Sequence, residues 1–217
     1  MAISALRVAG LVSGLIFSAA LALSAYAQGP ARGGPYTELN PPQATESSGK
    51  VEVIEFFWYG CPHCYALEPM LEPWTKKLPK EVVFKRVPAI FNEQWGVAAR
   101  VFYALEAINE QERVHRALFD AIHKESLRIT DESAMTGWLS KHGVDAEKYK
   151  AAYRSFTVET KIKRAMQMTQ AYRIDGVPAL AVQGRYVMSA SAIPDRQDLL
   201  KAVDRVIGDA IKQLPKK

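Results

Sequence analysis

The sequence predicts an α/β protein with a strand–helix–strand unit followed by strand–strand–helix, and an all-helical domain inserted between the second and third core strands. Two observations support this fold class. An apolar run at residues 51–58 has the character of a buried strand, and a helical pattern follows at 65–77. Strand patterns then vanish over residues 92–173 and return at 179–189. The 217 residues suffice for one domain of ordinary size with an elaboration, or for two small domains.

The first 27 residues have the pattern of a secretory signal peptide. Arg7 supplies a positive start, residues 8–23 form an apolar stretch, and Ala25-Tyr26-Ala27 is a small-x-small cleavage site. The alternative is an uncleaved membrane anchor. The Gly, Ser and Ala content of the stretch and the cleavage site favour removal, so we expect an exported chain that begins at Gln28.

Residues 28–50 predict a Pro- and Gly-rich arm, with one short edge strand at residues 36–39. The chain has 28 Lys and Arg against 23 Asp and Glu, and the two signs are interspersed. No basic run is interleaved with aromatic residues, which argues against a nucleic-acid-binding protein.

After Glu52, the strand at residues 51–58 contains one polar interior residue, Glu55, among apolar neighbours. Glu55 would face solvent if the strand lay at a sheet edge. A nearly continuous apolar run is typical of a strand covered on both faces, so we predict a buried carboxyl group. A second strand is predicted at residues 80–88.

The helix after the first core strand contains three prolines. Pro62 suits the first turn, where its missing N–H costs nothing. Pro69 and Pro73 lie further in, and each removes a backbone hydrogen bond. The sequence therefore predicts a kink near residues 67–70 and a break before Trp74.

Residues 92–173 predict a block of helices. Thr130-Asp131-Glu132-Ser133 is predicted to open one of them and Gly143 to stop it, and Asp145 is predicted to cap the next. The last helix of the block is predicted at residues 157–172. Its predicted inward-facing residues are Ile162, Ala165, Met166 and Thr169. The lone histidines of this block, His115, His123 and His142, are expected to be solvated or satisfied in the core rather than catalytic.

A hairpin and a helix close the chain. Strands are predicted at residues 179–182 and 186–189, around the turn Gln183-Gly184-Arg185. Pro194-Asp195 opens the last helix, whose apolar face is formed by Leu199, Leu200, Val203, Val206, Ile207 and Ala210.

The chain has only two cysteines, Cys61 and Cys64, at the junction of the first core strand and its helix. Two cysteines are too few for a disulfide scaffold, and a bridge across three residues stabilises a fold little. A structural zinc site needs four ligands, and the histidines show no matching spacing. In an exported chain, the pair predicts a redox dithiol/disulfide site.

This element order, with Cys61-Pro62-His63-Cys64 at the junction and Gly176-Val177-Pro178 before the hairpin, resembles the thioredoxin superfamily. Within it, Glu55-Phe56-Phe57 followed by Cys61-Pro62-His63-Cys64-Tyr65 is similar to the DsbA-type periplasmic thiol:disulfide oxidoreductases. The resemblance covers nearly the whole mature chain. It implies a thioredoxin-like domain at 51–91 and 174–217, a helical insertion domain at 92–173, and a cis Val177–Pro178 bond.

The family's chemistry assigns roles to these residues. Cys61, at the start of the helix, is expected to be the more exposed sulfur and a stabilised thiolate, because free N–H groups and His63 favour the anion. Pro62 and His63 between the cysteines complete the motif. Cys64 is expected to be buried and to attack only within the molecule. Glu55 beneath it is expected to give or take the proton of Cys64.

The resemblance further implies a periplasmic dithiol oxidase that donates the Cys61–Cys64 disulfide to newly exported proteins, without a cofactor or metal. The backbone of Val177 would pair with an extended client segment. A DsbB-like, quinone-linked membrane protein would reoxidise the dithiol, and nothing in the chain demands more than a monomer.

Two other functions remain open at this point. A disulfide isomerase or reductase of the same fold is the main alternative, although the short arm is too small for the dimerisation domain usual in such isomerases. A redox-inert peptide-binding module would not need both cysteines. Gly60 departs from the family pattern and is expected to loosen the loop that holds Cys61, and Pro88 interrupts the end of the second strand.

Overall fold

The computed structural model describes residues 36–215. The predicted signal peptide, the start of the arm and the two C-terminal lysines lie outside the described residues. Within the described part of the chain, no helix is both long and apolar enough to cross a bilayer.

One five-stranded sheet organises the described chain. Its strands are β1 (Thr37–Glu38), β2 (Val51–Phe57), β3 (Val82–Pro88), β4 (Ala179–Val182) and β5 (Tyr186–Ser189). The strand order is β1-β5-β4-β2-β3. β2 lies parallel to β3 and antiparallel to β4, so the chain forms the predicted βαβ and ββα units. All seven residues of β2 are buried, as expected for a central strand with both faces covered.

Seven helices surround the sheet. They are α1 (Pro62–Thr75), α2 (Glu93–Ala107), α3 (Gln111–Lys124), α4 (Glu132–Lys141), α5 (Ala146–Tyr153), α6 (Phe156–Ala171) and α7 (Arg196–Lys212). Residues 92–173, all of them described, hold α2 to α6 and no strand. The helical block therefore follows β3 and precedes β4, as the sequence predicts.

The two faces of the sheet belong to different apolar clusters. Val51 and Val53 of β2 pack in one cluster with residues of α1 and α7. Ile54 and Phe56 join the other cluster, which includes residues of α2 to α6. Because successive strand residues point to opposite faces, the alternation along β2 divides the core in this way. Glu55 therefore shares the face of Val53, towards α1.

The predicted break in the first helix is wrong. α1 runs unbroken from Pro62 to Thr75, with Pro69 and Pro73 inside it. Both inner prolines are solvent-exposed, so water can satisfy the carbonyl groups that they leave without a donor. On the opposite side, Leu67 and Leu71 are fully buried, and their packing holds the helix together.

The inward orientation predicted for Met166 is also wrong, because its side chain is exposed. The buried stripe of α6 consists of Val158, Ile162, Ala165 and Thr169. Met166 lies at the margin of this stripe, where the helix has already turned towards solvent.

The closing hairpin matches its prediction residue by residue. Gln183 and Gly184 have φ angles of 53° and 63°, as two-residue hairpin turns with right-handed twist require. Asp195 caps α7 by accepting a hydrogen bond from the backbone N–H of Asp198. All six residues predicted for the apolar face of α7 are buried.

Candidate active site

The two cysteines lie at the N-terminus of α1, and both are free thiols. Cys61 is the N-cap residue, and its Sγ accepts a hydrogen bond from the backbone N–H of Cys64 at 3.4 Å. Pro62 occupies the first position of the helix. The relative solvent exposure of Cys61 is 7% and that of Cys64 is 0%. Cys61 is therefore the more exposed of the two, as predicted. Pro62 and His63 are exposed between them.

The structure brings the segment before β4 against the dithiol. Cys61 Sγ donates to the carbonyl oxygen of Val177 at 3.4 Å. The Val177–Pro178 peptide bond is cis. Val177 is half-buried, whereas Pro178 is buried. Residues 116 positions apart in the sequence thus meet at the reactive sulfur.

The two thiols have opposite acidities. A hydrogen bond from the Cys64 thiol is the main cause that lowers the pKa of Cys61 to about 6, and the N–H groups of Cys64 and His63 and the charge of His63 add to it. Burial raises the pKa of Cys64 well above that of a free cysteine. At neutral pH, Cys61 is therefore largely a thiolate and Cys64 a neutral thiol.

Glu55 is fully buried, as the sequence predicts. It pairs in register with Arg86 of β3, whose Nε donates to Glu55 Oε2 at 3.1 Å. Burial, with the nearby charge of Glu68, raises the pKa of Glu55 to about 8 despite Arg86. Its Oε1 is buried without a hydrogen-bond partner. The charge of Glu55 helps to raise the pKa of Cys64, although neither sulfur hydrogen-bonds to it in the described chain.

A second buried carboxyl group, Glu68, lies one helical turn after Cys64. Arg86 Nη2 lies 3.5 Å from Glu68 Oε2, so a single guanidinium contacts both carboxyl groups. Burial alone would raise the pKa of Glu68, but His115 and Arg86 hold it below its usual value.

Helix α3 of the helical block carries His115 into this cluster. His115 Nε2 lies 3.3 Å from Glu68 Oε1, while Tyr59 Oη and Gln111 Nε2 lie 2.8 and 2.9 Å from its Nδ1. Burial lowers the pKa of His115, so its ring is neutral at pH 7. His115 is thus satisfied in the core, as expected, but two of its partners, Tyr59 and Glu68, belong to the loop before Cys61 and to α1.

A second histidine of α3, His123, contacts the same loop. Its Nε2 lies 2.8 Å from the carbonyl oxygen of Tyr59. Its ring stacks on Tyr65 with 4.6 Å between centroids and 4° between planes. Tyr65 Oη in turn donates to Asp120 Oδ1 at 2.6 Å. Helix α3 therefore fixes both the loop before Cys61 and the residue after Cys64.

Gly60 has a different role from the loosening that we expected. A Cβ atom at this position would lie 2.4 Å from a ring carbon of Trp58. The Trp58 indole is stacked on Trp95, with centroids 4.4 Å apart and planes at 8°. Glycine at residue 60 therefore allows a close approach of the indole and leaves the loop tightly packed rather than loose.

Replacing Gly60 with alanine is expected to force the Trp58 indole off Trp95 and to destabilise the fold by about 1–3 kcal/mol, the usual cost of overpacking. Urea unfolding measures the loss, and near-UV circular dichroism reports the stack. Gly137→Ala is the matched control, because Gly137 is exposed inside α4 with no atom near the added Cβ. It should stabilise by about 0.5–1 kcal/mol. Equal effects of the two changes would contradict the steric role of Gly60.

The sequence did not predict four residues as part of the site: Glu68, Arg86, His115 and His123. The four-residue spacing from Cys64 to Glu68 was a usable signal, because it places both on one helix face. Arg86 breaks the apolar pattern of its strand as Glu55 does. The two histidines gave no local signal, because their partners in the loop before Cys61 and in α1 are more than 45 residues away in the sequence.

No group of three or more His, Cys, Asp or Glu residues in the described ranges is arranged to hold a metal ion. Cys61 is surrounded by the Cys64 thiol, backbone N–H groups and the Val177 carbonyl, and the thiol and N–H donors stabilise a reactive thiolate.

Comparisons with known proteins agree with this geometry. The family model described as a DSBA-like thioredoxin domain matches residues 80–201. The thiol:disulfide interchange protein DsbA of Pseudomonas aeruginosa PAO1 is 38% identical over 193 residues, which are 89% of this chain and 92% of the relative. The protein of the same name from Bordetella parapertussis is 44% identical over 173 residues, 79% of this chain and 82% of the relative.

Solved structures show the same likeness. The crystal structure of Pseudomonas aeruginosa DsbA superimposes with a TM-score of 0.79 at 39% identity, covering 82% of this chain and 93% of that one. DsbA from Xylella fastidiosa gives a TM-score of 0.76 at 29% identity, covering 81% and 94%. With its Cys61–Cys64 pair at the start of α1, the chain belongs to the DsbA family of thiol:disulfide oxidoreductases.

Proposed function

We propose that this protein acts in the periplasm as a dithiol oxidase that donates its Cys61–Cys64 disulfide to newly exported proteins. The observation that carries the proposal is the contrast between the two thiols, with the pKa of Cys61 at about 6 and that of Cys64 raised. A stable Cys61 thiolate favours the reduced form of the couple, so the disulfide readily accepts electrons. The relatives named as thiol:disulfide interchange proteins support the same direction.

The reaction begins with the oxidised protein. A client thiolate attacks Cys61 Sγ, the Cys61–Cys64 bond breaks, and Cys64 leaves with the electron pair. A second client thiolate then attacks the client sulfur of the mixed disulfide and releases Cys61 as a thiolate. The client loses two electrons and gains a disulfide, and the protein gains the two electrons as a dithiol.

Glu55 is proposed as the proton donor to Cys64. Its pKa of about 8 keeps it protonated at neutral pH, and its Oε1 has no other partner. Cys64, which is fully buried, cannot take its proton from bulk water directly. A neutral acid beside the leaving sulfur therefore assists the first step.

Val177 and Pro178 are proposed to bind the client. The half-buried Val177 presents its backbone next to Cys61, where an extended client segment can pair with it as an added strand. Backbone pairing gives affinity without dependence on client sequence. His63 and Pro62 lie exposed at the same edge and are proposed to tune Cys61.

The remaining proposals concern partners and organisation. A DsbB-like membrane protein is proposed as the reoxidant, because each turnover leaves the dithiol reduced. We further propose cleavage after Ala27, a monomer, and a division into a thioredoxin-like domain at 51–91 and 174–217 with a helical insertion domain at 92–173.

The test is the redox equilibrium of Cys61 and Cys64 with glutathione, together with the oxidation of a reduced, unfolded client. We expect a couple far more oxidising than thioredoxin, whose potential is about −270 mV, and rapid client oxidation at pH 7. A potential at or below that of thioredoxin would assign the protein to the reductases. Faster repair of scrambled disulfides than oxidation of the reduced client would assign it to the isomerases.

A further inference from the structure

His115 joins the helical block to two different parts of the active site. Its Nε2 edge faces Glu68 of α1 at 3.3 Å, and its Nδ1 edge faces Tyr59 of the loop before Cys61 at 2.8 Å. All three side chains are buried, with exposures of 3% or less. Gln111 Nε2 also lies 2.9 Å from Nδ1, and an amide nitrogen can only donate. Nδ1 of the neutral ring therefore accepts, and Nε2 donates to Glu68.

The partner on the Nε2 edge is one of two buried carboxyl groups that share a cation. Arg86 lies 3.1 Å from Glu55 Oε2 and 3.5 Å from Glu68 Oε2. One guanidinium balances one carboxylate, and a second buried negative charge would be costly. The pair is therefore expected to retain one proton at neutral pH, and the remaining contacts decide which carboxyl group holds it.

Those contacts are unequal. Glu68 has a second donor, His115 Nε2, at Oε1, whereas Oε1 of Glu55 has no hydrogen-bond partner. We propose that His115 is a positioning residue that keeps the negative charge of the pair on Glu68, and so leaves the proton on Glu55, where Cys64 needs it. This inference rests on the proposed role of Glu55 as the acid of the reaction.

The other charged groups around the pair fit this assignment. Arg116 of α3 also favours the anion of Glu68, and Cys61 disfavours that of Glu55. The pKa of Glu68 lies below its usual value, and that of Glu55 is raised to about 8.

Arg86 itself meets a third carboxylate, Glu112, at 3.7 Å from its Nη1. Glu112 is exposed to solvent, so water and salt screen its interaction with Arg86.

Loss of the His115–Glu68 contact should move the proton towards Glu68. Glu55 would then ionise at a pH about one unit lower, because the charge that raises its pKa is partly removed and Arg86 is freed for it. If the pKa of Glu55 moves from about 8 to about 7, the protonated fraction of Glu55 at pH 8 falls about fivefold. Client oxidation at pH 8 should fall by the same factor.

Two isosteric variants of His115 separate its two contacts. In His115→Gln the side-chain amide lies near the position of Nε2 and keeps a donor for Glu68. In His115→Asn the amide lies near the position of Nδ1 and keeps the contacts with Tyr59 and Gln111 but not the one with Glu68. The readouts are the carboxyl ¹³C shifts of Glu55 and Glu68 against pH in the reduced protein, and the pH profile of client oxidation. Glu55→Gln identifies which titration belongs to Glu55.

We expect His115→Asn to lower the Glu55 midpoint and His115→Gln to retain it. Glu68→Gln should reproduce the shift, and adding His115→Asn to Glu68→Gln should change nothing further. Equal midpoints in the Gln and Asn variants, or a further shift in the double variant, would overturn the proposal. If His115→Asn does not fold, Tyr59→Phe and Glu68→Gln are compared instead. Only Glu68→Gln should move the titration midpoint of Glu55. The carboxyl titration needs no client, so it tests this inference even if the oxidase function fails.

Discussion

Replacing Cys61 with serine is expected to abolish thiol:disulfide interchange, because the substitution removes the sulfur that the client attacks. Replacing Cys64 with serine should have a different result. Cys61 then stays reactive, with a buried hydroxyl in place of the resolving thiol, and mixed disulfides with clients accumulate. Non-reducing electrophoresis of each variant after incubation with an oxidised client peptide measures the trapped species.

The control for these two variants is the double variant with serine at both residue 61 and residue 64, which should form no mixed disulfide. Trapping through Cys64 in the Cys61→Ser variant would reverse the assignment of the two sulfurs. A Cys64→Ala variant should show a higher pKa for Cys61, since it removes the thiol hydrogen bond that is the largest cause of the low value. Absorbance of the thiolate near 240 nm against pH gives that value.

Replacing Arg86 with methionine is expected to destabilise the reduced protein by about 3–5 kcal/mol at pH 8, because it leaves Glu55 and Glu68 without their shared cation. Both carboxyl groups would then have pKa values above those of the unfolded chain. The stability of the variant is therefore retained at pH values near 4. It is lost progressively as the pH rises through the pKa values that the two carboxyl groups have in the folded state. Urea unfolding at pH 4.5, 6 and 8 measures this dependence.

Arg86→Lys provides the comparison, because it keeps a positive charge but lacks the fork that reaches two carboxyl groups. It should lose less stability than the methionine variant, and its loss should depend less on pH. If the methionine variant lost the same free energy at all three pH values, the missing packing of the Arg86 stem would explain the effect, and the electrostatic account would be wrong.

The sequence predicted the elements that depend on local patterns. The apolar run of β2, the hairpin at Gln183-Gly184, the helix start at residues 130–133 and the cap at Asp145 are each specified within a few residues, and all are present. The burial of Glu55 was predictable too, because its neighbours on both sides are apolar.

The remaining features of the fold and the site depend on which helices and strands pack against each other. The prolines of α1 are tolerated because they fall on its exposed side, which only the packing of Leu67 and Leu71 determines. The roles of His115 and His123 follow from the docking of α3 beside the active-site loop. The hydrophobic periodicity of one segment cannot show that it contacts a segment far away in the sequence.

The fit between Gly60 and Trp58 also restricts how the sequence of this loop can diverge. A side chain at residue 60 costs least after residue 58 has become smaller, so one order of the two substitutions is favoured. The reverse order passes through a less stable intermediate with a displaced indole beside Cys61. A lineage that enlarges residue 60 at the lowest cost gives up the tryptophan at residue 58 first, and with it the stack on Trp95.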